Sequence, residues 1–330
     1  MNKRVVKFMK CTVLTSLIVM VVVLACPIGL IENQKIEAAD AAISIKDFTE
    51  SKDSTSPTEE FKEFSVLIDG TPTKLSRRDY IRGVVAAEMP ALYENEALKA
   101  QAVAAYTFAC YRAARRTELP YDVTADSQID QGYTSDAAAR EKWGDNAQQY
   151  LDKIDAAVAA VEGELLTYNG ECALAAYHAM SSGVTTACRD AWGTDVPYLT
   201  EVTSTGDCLD EKYLSTAEFT PDELAEKLSG YKAASGDAEN WFKNITVADS
   251  KRVVSLEFCG EKLTGSDVSK ALALRSSNFS IEFNGEKFIF TVLGYGHGIG
   301  MSQTGANYMA KQGSSYKEIL LHYYKGCKIE

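Results

Sequence analysis

Few of the residues that usually announce a chemistry are present. The chain has 3 histidines, 3 tryptophans and 7 prolines in 330 residues. No Gly-x-Ser-x-Gly elbow occurs, and without that sharp strand-to-helix turn a serine triad of the hydrolase type has no exposed nucleophile. No Cys-x-x-Cys pair occurs either, so the strongest spacing for a zinc site is missing. Positive charge is scarce where it would matter. The formal charge is −12, and the first 31 residues hold four basic side chains and no acid, so the rest of the chain carries −16. Binding a phosphate backbone needs clustered Lys and Arg, which argues against nucleic acid as a ligand. The same balance argues against electrostatic capture of acidic polymers. A glycan would have to be held by hydrogen bonds and aromatic faces, for which 17 tyrosines are available.

Hydrophobic residues at 46% and charged residues at 24% describe a globular chain with a sizeable core. Lys3, Arg4, Lys7 and Lys10 precede an apolar run from Cys11 to Ile31. A run of that length reaches the roughly 20 residues a bilayer needs, and positive charge ahead of it keeps the N-terminus cytoplasmic. Residues 1–31 are therefore expected to be a basic segment and single-pass membrane anchor, placing the rest outside the cytoplasm. A cleaved signal peptide ending near Ile36 to Ala38 and a lipid-modified Cys26 are the rival readings. Residues 32–60 are rich in Ala, Ser, Thr, Asp, Glu and Lys and read as a stalk. Six cysteines lie beyond the apolar run, an even count that permits disulfides in an exported chain, Cys188 with Cys208 being one candidate.

Folded sequence runs over 61–330. A strand FKEFSVLID turns at Asp69-Gly70, and a short helix follows from Ser76 to Met89. An Ala-rich helix spans about Asn95 to Arg116, residues 119–144 read as an irregular polar loop, and a helix covers Asp145 to Glu162. ELLTY and ALAAYHAM read as strands joined by Asn169-Gly170. A capped helix starts at Thr220, strands return at 244–258 and 279–293, and a last helix starts at Ser315. Helices and strands fall in separate blocks, so the fold class is α+β, with helices around a mixed or antiparallel sheet and a substrate groove.

The most informative stretch is SRRDYIRGVVAAEMP. Ser76 and Asp79 make a capping box, and Tyr80 and Val84 set a helical row that Glu88 continues. Pro90 ends the helix, because the residue before a proline avoids the helical region. Glu88 thus sits at the negative end of a helix dipole and faces partly apolar surroundings. Both effects penalise the ionised carboxylate and raise its pKa, which suits a general acid. The plain alternative is a surface glutamate that ends a helix. A second constellation, LGYGHGIGMSQTGA, surrounds His297 with glycines and brings Ser302 and Gln303 to the same rim; a tight structural turn is its alternative. It lacks the strand-helix context of a dinucleotide loop. In AAYHAMSSGVTTACRDAWG, His178 and Cys188 are candidate zinc ligands, with Cys172 on the same strand face as His178. Six residues of unbroken strand, about 20 Å, would keep Cys172 and His178 apart.

Taken together, VVAAEMP, EALKAQAVAAYTFA, YHAMSSG, AWG with Pro197-Tyr198-Leu199, LALRSSNF, and GYGHGIGMSQTGA followed by SYKEILLHYY resemble the stage II sporulation protein D family, lytic transglycosylases related to amidase enhancer proteins. The resemblance covers roughly residues 64–328. It implies cleavage of peptide-free peptidoglycan strands between muramic acid and glucosamine during spore engulfment, without water and with a 1,6-anhydro product. It puts Glu88 at the position of the one catalytic glutamate. It further implies substrate-binding or orienting roles for Lys99, Gln101, Tyr177, His178, Ser182, His297, Ser302 and Gln303. The chemistry needs no cofactor; zinc at His178, Cys188 and Cys172 would be an addition. The implied partners are glycan strands, a cell-wall amidase and a membrane-anchored scaffold, in the septal space between two membranes. The family commonly has Arg-Thr-Tyr where this chain has Tyr106-Thr107-Phe108, which puts one substrate contact in doubt. A hydrolase would need a second carboxylate, for which Asp126, Asp130, Asp190 and Asp195 are candidates.

Overall fold

The first strands are short and their register is set by their turns. In this computed structural model, which describes residues 61–330, β1 (Glu63–Ile68) and β2 (Thr71–Ser76) form an antiparallel hairpin. Asp69 and Gly70 both take positive φ, the geometry of a type I′ turn, whose twist matches the strands. β3 (Val123–Thr124) adds in parallel to the other edge of β1. The same turn chemistry recurs at Asn169-Gly170, both with positive φ, between β4 (Leu166–Tyr168) and β5 (Glu171–Cys172).

Helix α1 (Arg77–Glu88) starts where Ser76 Oγ accepts from the Asp79 amide, and it ends as Met89 turns extended before Pro90. Helix α2 (Asn95–Ala113) is apolar nearly all round and most of it is buried, which marks a central helix rather than a surface one. Its alanines let α1 approach closely on one side. Helix α4 (Ala147–Ala160) packs on both, and the short α3 (Asp136–Trp143) lies against α4. Helix α3 falls in the stretch the sequence reads as an irregular loop; Ser135 caps it by accepting from the Ala138 amide.

The chain then forms β6 (Tyr177–His178), α5 (Cys188–Trp192), β7 (Leu214–Phe219), α6 (Pro221–Leu228), β8 (Phe242–Val247), β9 (Val253–Phe258), β10 (Glu261–Thr264), α7 (Gly265–Ala271), β11 (Phe279–Phe283) and β12 (Phe288–Leu293). The orders β10-β9-β8 and β11-β12-β7 are antiparallel. They share a core of Leu224, Trp241, Phe258, Phe288 and Phe290. Finally β13 (Met301–Ser302), α8 (Gln303–Lys311), α9 (Tyr316–Tyr323) and β14 (Lys328–Ile329) return to α2 and β4. The fold is α+β.

Three expectations change. Of the strand read over ALAAYHAM, only Tyr177–His178 forms a strand, in parallel with Met301–Ser302, and Met180 makes an isolated antiparallel bridge to Tyr295. The six cysteines beyond residue 100 are all free, so Cys188 and Cys208 are not joined. Among the described residues no helix is long and apolar enough to cross a membrane, so the single-pass membrane localisation is not supported. The 19-residue α2 approaches the length but carries Glu96, Lys99 and Arg112 and is spent in the core. The apolar run from Cys11 to Ile31, the basic residues before it and the stalk of 32–60 lie outside the described residues.

Candidate active site

Glu88 is delivered to a half-buried position by the end of α1, and its neighbour comes from the loop before α3. Gly83 makes this possible. A side chain there would collide with the Tyr133 ring, so glycine lets residues 131–134 lie flat on α1, where Thr134 N–H donates to Gly83 O at 3.0 Å. The Tyr133 ring stacks on Tyr80 with centroids 6.1 Å apart. The Gly132 amide then donates to Glu88 Oε1 at 2.5 Å. Burial raises the Glu88 pKa, and the Gly132 hydrogen bond opposes it without cancelling it. Among the described residues no charged neighbour adds to these two effects. The raised pKa follows from removal of water, as the sequence suggests.

A polar string runs from this carboxyl into the core. The half-buried Tyr177 donates its hydroxyl to Gln131 Oε1 at 2.8 Å, and Gln131 Nε2 donates to Tyr80 Oη and Ala105 O, each at 3.3 Å. Tyr177 is close enough to Glu88 that the carboxylate charge, with desolvation as the larger cause, pushes its phenol upward. Gln101, on α2, stands beside the same hydroxyl and accepts from Gln303 Nε2 at 3.2 Å. Glu88, Gln101, Tyr177 and Gln303 are thus brought together. Gln131 and Gly132 belong with them, and sequence reasoning missed both. They lie in a stretch without apolar periodicity, and the backbone donor of Gly132 leaves no side-chain signal.

The histidines lie on the other side of the β6 backbone. His178 Nδ1 donates to Ile299 O at 3.1 Å, and its Nε2 is buried without a partner. Burial, with the neighbouring His297 adding to it, draws its pKa down to about 3. His297 Nδ1 accepts from Ile299 N–H at 3.0 Å, its ring lies 5.7 Å from His178, and Trp192 packs on it at 5.1 Å. Desolvation first, then the Arg252 charge, lowers His297 to about 4. Both rings are neutral near pH 7. Gly300 fixes the turn that carries the chain from His297 into β13: it has φ +69°, and a Cβ there would strike the Ala176 carbonyl.

The other candidates are engaged by partners within the fold. Ser302 caps α8 by accepting from Gly305 N–H and donates to Asp207 Oδ1 at 2.7 Å. Asp207 also takes the Ser181 amide and hydroxyl, and burial raises its pKa from the ordinary value although these hydrogen bonds oppose it. Nothing in the sequence singled out Asp207. Ser182 donates to Ser250 O at 2.5 Å. Lys99 pairs with Glu96 at 2.6 Å on the far face of α2. Cys172 Sγ donates to Thr107 O, Cys188 is buried at the start of α5, and among the described residues no group of three His, Cys, Asp or Glu side chains is placed to hold a metal ion. The trio His178, Cys188 and Cys172 is not assembled. Tyr106 is buried under Arg77, whose guanidinium lies 5.2 Å from its ring. Among the alternative acids, Asp130 is fully enclosed by Arg112 at 2.7 Å, Arg116 at 2.5 Å and the Thr124 amide at 2.7 Å. Asp126 accepts from the Gln128 amide within its own turn. Asp190 lies 3.9 Å from Arg189, and Asp195 stands by Cys188.

Comparison with known proteins supplies the family. Residues 71–168, which contain Glu88, Gln101 and Gln131, match the family model described as Stage II sporulation protein. The chain is 39% identical over 254 residues to Stage II sporulation protein D of Bacillus amyloliquefaciens, covering 76% of this chain and 73% of that one. The corresponding protein of Bacillus subtilis (strain 168) is 38% identical over the same shares. An amidase enhancer of Bacillus subtilis (strain 168) is 31% identical, over 76% of this chain and 40% of that protein.

Proposed function

The chain belongs to the stage II sporulation protein D family, and from that premise we propose that it is a lytic transglycosylase acting on peptide-free peptidoglycan strands. The observation that carries the reading is Glu88, a carboxyl whose pKa burial raises and which one backbone amide steadies. The protonated Glu88 donates to the oxygen of the muramic acid–glucosamine bond as that bond breaks. The resulting carboxylate takes the proton of the muramic acid 6-hydroxyl, whose oxygen closes on the anomeric carbon. The proton returns to Glu88, no water is consumed and a 1,6-anhydro sugar remains. An intramolecular nucleophile gains from proximity and removes the need for the second carboxylate of ordinary glycosidases. The Gly132 amide holds the carboxyl during both transfers. The binding groove needed along Glu88 is part of this proposal, as is cooperation with an amidase that first removes the stem peptides.

The test is product analysis by mass spectrometry after incubation with peptide-free glycan. Anhydro-ended fragments with wild type and none with Glu88→Gln are expected. Reducing ends would make the protein a hydrolase. The likeness to an amidase enhancer favours a second reading, a non-catalytic glycan-binding module that stimulates an amidase. In that case Glu88→Gln leaves stimulation intact and wild type releases no fragments.

A further inference from the structure

Beyond the His297 loop lies a pocket of about 450 Å³, within the roughly 300–1,000 Å³ of small-molecule sites. Its lining opposes the character of the chain. Arg252, Lys270 and Arg275 face it and no Asp or Glu does, although the chain carries −12 overall. Arg252 is the unusual member. It is only 3% exposed, yet it makes no ion pair among the described residues. Its Nη1 donates to His297 O at 3.2 Å and its Nη2 to Ser266 Oγ at 2.6 Å. Asp190 acts on it only from beyond ion-pair distance, and desolvation brings its pKa down to about 10. A buried guanidinium is costly unless an anion answers it, and its fork matches a carboxylate. At the rim, Trp192 and Tyr295 remain 36% and 55% exposed, large aromatic faces of the kind that stack on a sugar ring. Tyr295 is held by Arg275, whose guanidinium sits 5.8 Å from the ring centroid.

We propose that this pocket binds a carboxylate-bearing sugar, the carboxylate on Arg252 and the ring against Trp192 and Tyr295. This rests on the glycan reading above, in which the sugar is muramic acid freed of its peptide. The Tyr177 side chain faces the Glu88 cluster while the histidine on its other side meets this pocket.

Calorimetric titration of the full chain with N-acetylmuramic acid, N-acetylglucosamine and inorganic phosphate tests it. N-acetylmuramic acid is expected to bind about tenfold or more tighter than N-acetylglucosamine, the gain of one charge-assisted pair. Trp192→Ala weakens both sugars, and Arg252→Lys erases the preference between them. Should Arg252→Lys not fold, Lys270→Ala, at an exposed position, lowers the preference for the charged sugar in its place. Equal affinity for the two sugars, phosphate binding as tightly as N-acetylmuramic acid, or no effect of Trp192→Ala overturns the proposal. Glu88→Gln is expected to bind N-acetylmuramic acid as wild type does. In the wild-type protein, selective binding without cleavage counts against the transglycosylase reading alone, and cleavage without selective binding counts against the pocket alone.

Discussion

Replacing Tyr177 by Phe removes one oxygen and tests how the site is held. The half-buried Tyr177 donates its hydroxyl to Gln131 Oε1 at 2.8 Å, while Gln131 is 1% exposed and spends its Nε2 on Tyr80 and Ala105. Gln131 itself is buried, so water is poorly placed to replace the lost donor. The variant loses a neutral hydrogen bond and leaves an amide oxygen unsatisfied, a cost of about 1–3 kcal/mol. Gln131 can recover a donor only by moving, and the next residue, Gly132, carries the amide on Glu88. That amide opposes the upward shift of the Glu88 pKa, so its displacement raises the pKa further. The alkaline limb of glycan cleavage should move to higher pH, and the maximal rate should fall about ten- to a hundredfold from loss of orientation. Urea unfolding measures the first effect and a pH–rate profile the second. Unchanged stability within about 0.5 kcal/mol, together with an unmoved alkaline limb, would refute the reasoning.

Asp130→Asn leaves the buried Arg112 and Arg116 facing a neutral amide; a loss of about 3–5 kcal/mol in urea unfolding is expected, whereas a catalytic acid would lose rate without stability. For Glu88 the folded pKa lies above the unfolded value, so its contribution to stability is full below the ordinary carboxylate range and is lost as pH rises through the raised value. Glu88→Gln should therefore melt higher than wild type at neutral pH and lose that advantage near pH 4, as read by calorimetry. His178 behaves in the opposite sense, because its folded pKa of about 3 lies below the unfolded value of about 6.5. Its contribution is full above pH 6.5 and declines as pH falls toward 3, with a slope of up to about 1.4 kcal/mol per pH unit; His178→Gln should flatten the acid side of the stability curve.

Local signals in the sequence transferred to the fold where the physics is local. Ser76 caps α1, Pro90 follows its end, and Asp69-Gly70 and Asn169-Gly170 form their hairpin turns. The row Tyr80, Val84, Glu88 turns the acid inward as its spacing implies. Glu88 ends up near Gln101, Tyr177 and Gln303 although these residues are far apart in the chain. What the sequence concealed depends on long-range packing. Helix α3 was hidden because only Ala139 of its residues is buried, leaving no apolar stripe. Helix α7 carries a Thr264–Asp267 capping box, a local signal legible in the sequence. Gly132 contributes a backbone amide, and Asp207 collects serines from three segments; neither function leaves a pattern at fixed spacing. Ser302 and Ser182 lie in segments on which the sequence resemblance rests, yet their hydroxyls bond Asp207 and the Ser250 carbonyl.

The account turns on whether the Glu88 carboxyl keeps its proton when a glycan is in place. Selective carbon-13 labelling of glutamate carboxyls, with the Glu88 signal assigned by its loss in Glu88→Gln, allows that group to be titrated by NMR. A midpoint well above the ordinary glutamate range, coinciding with the alkaline limb of the cleavage rate, is the predicted result. A midpoint at the ordinary value with glycan bound, or a limb that does not follow it, would contradict the claim.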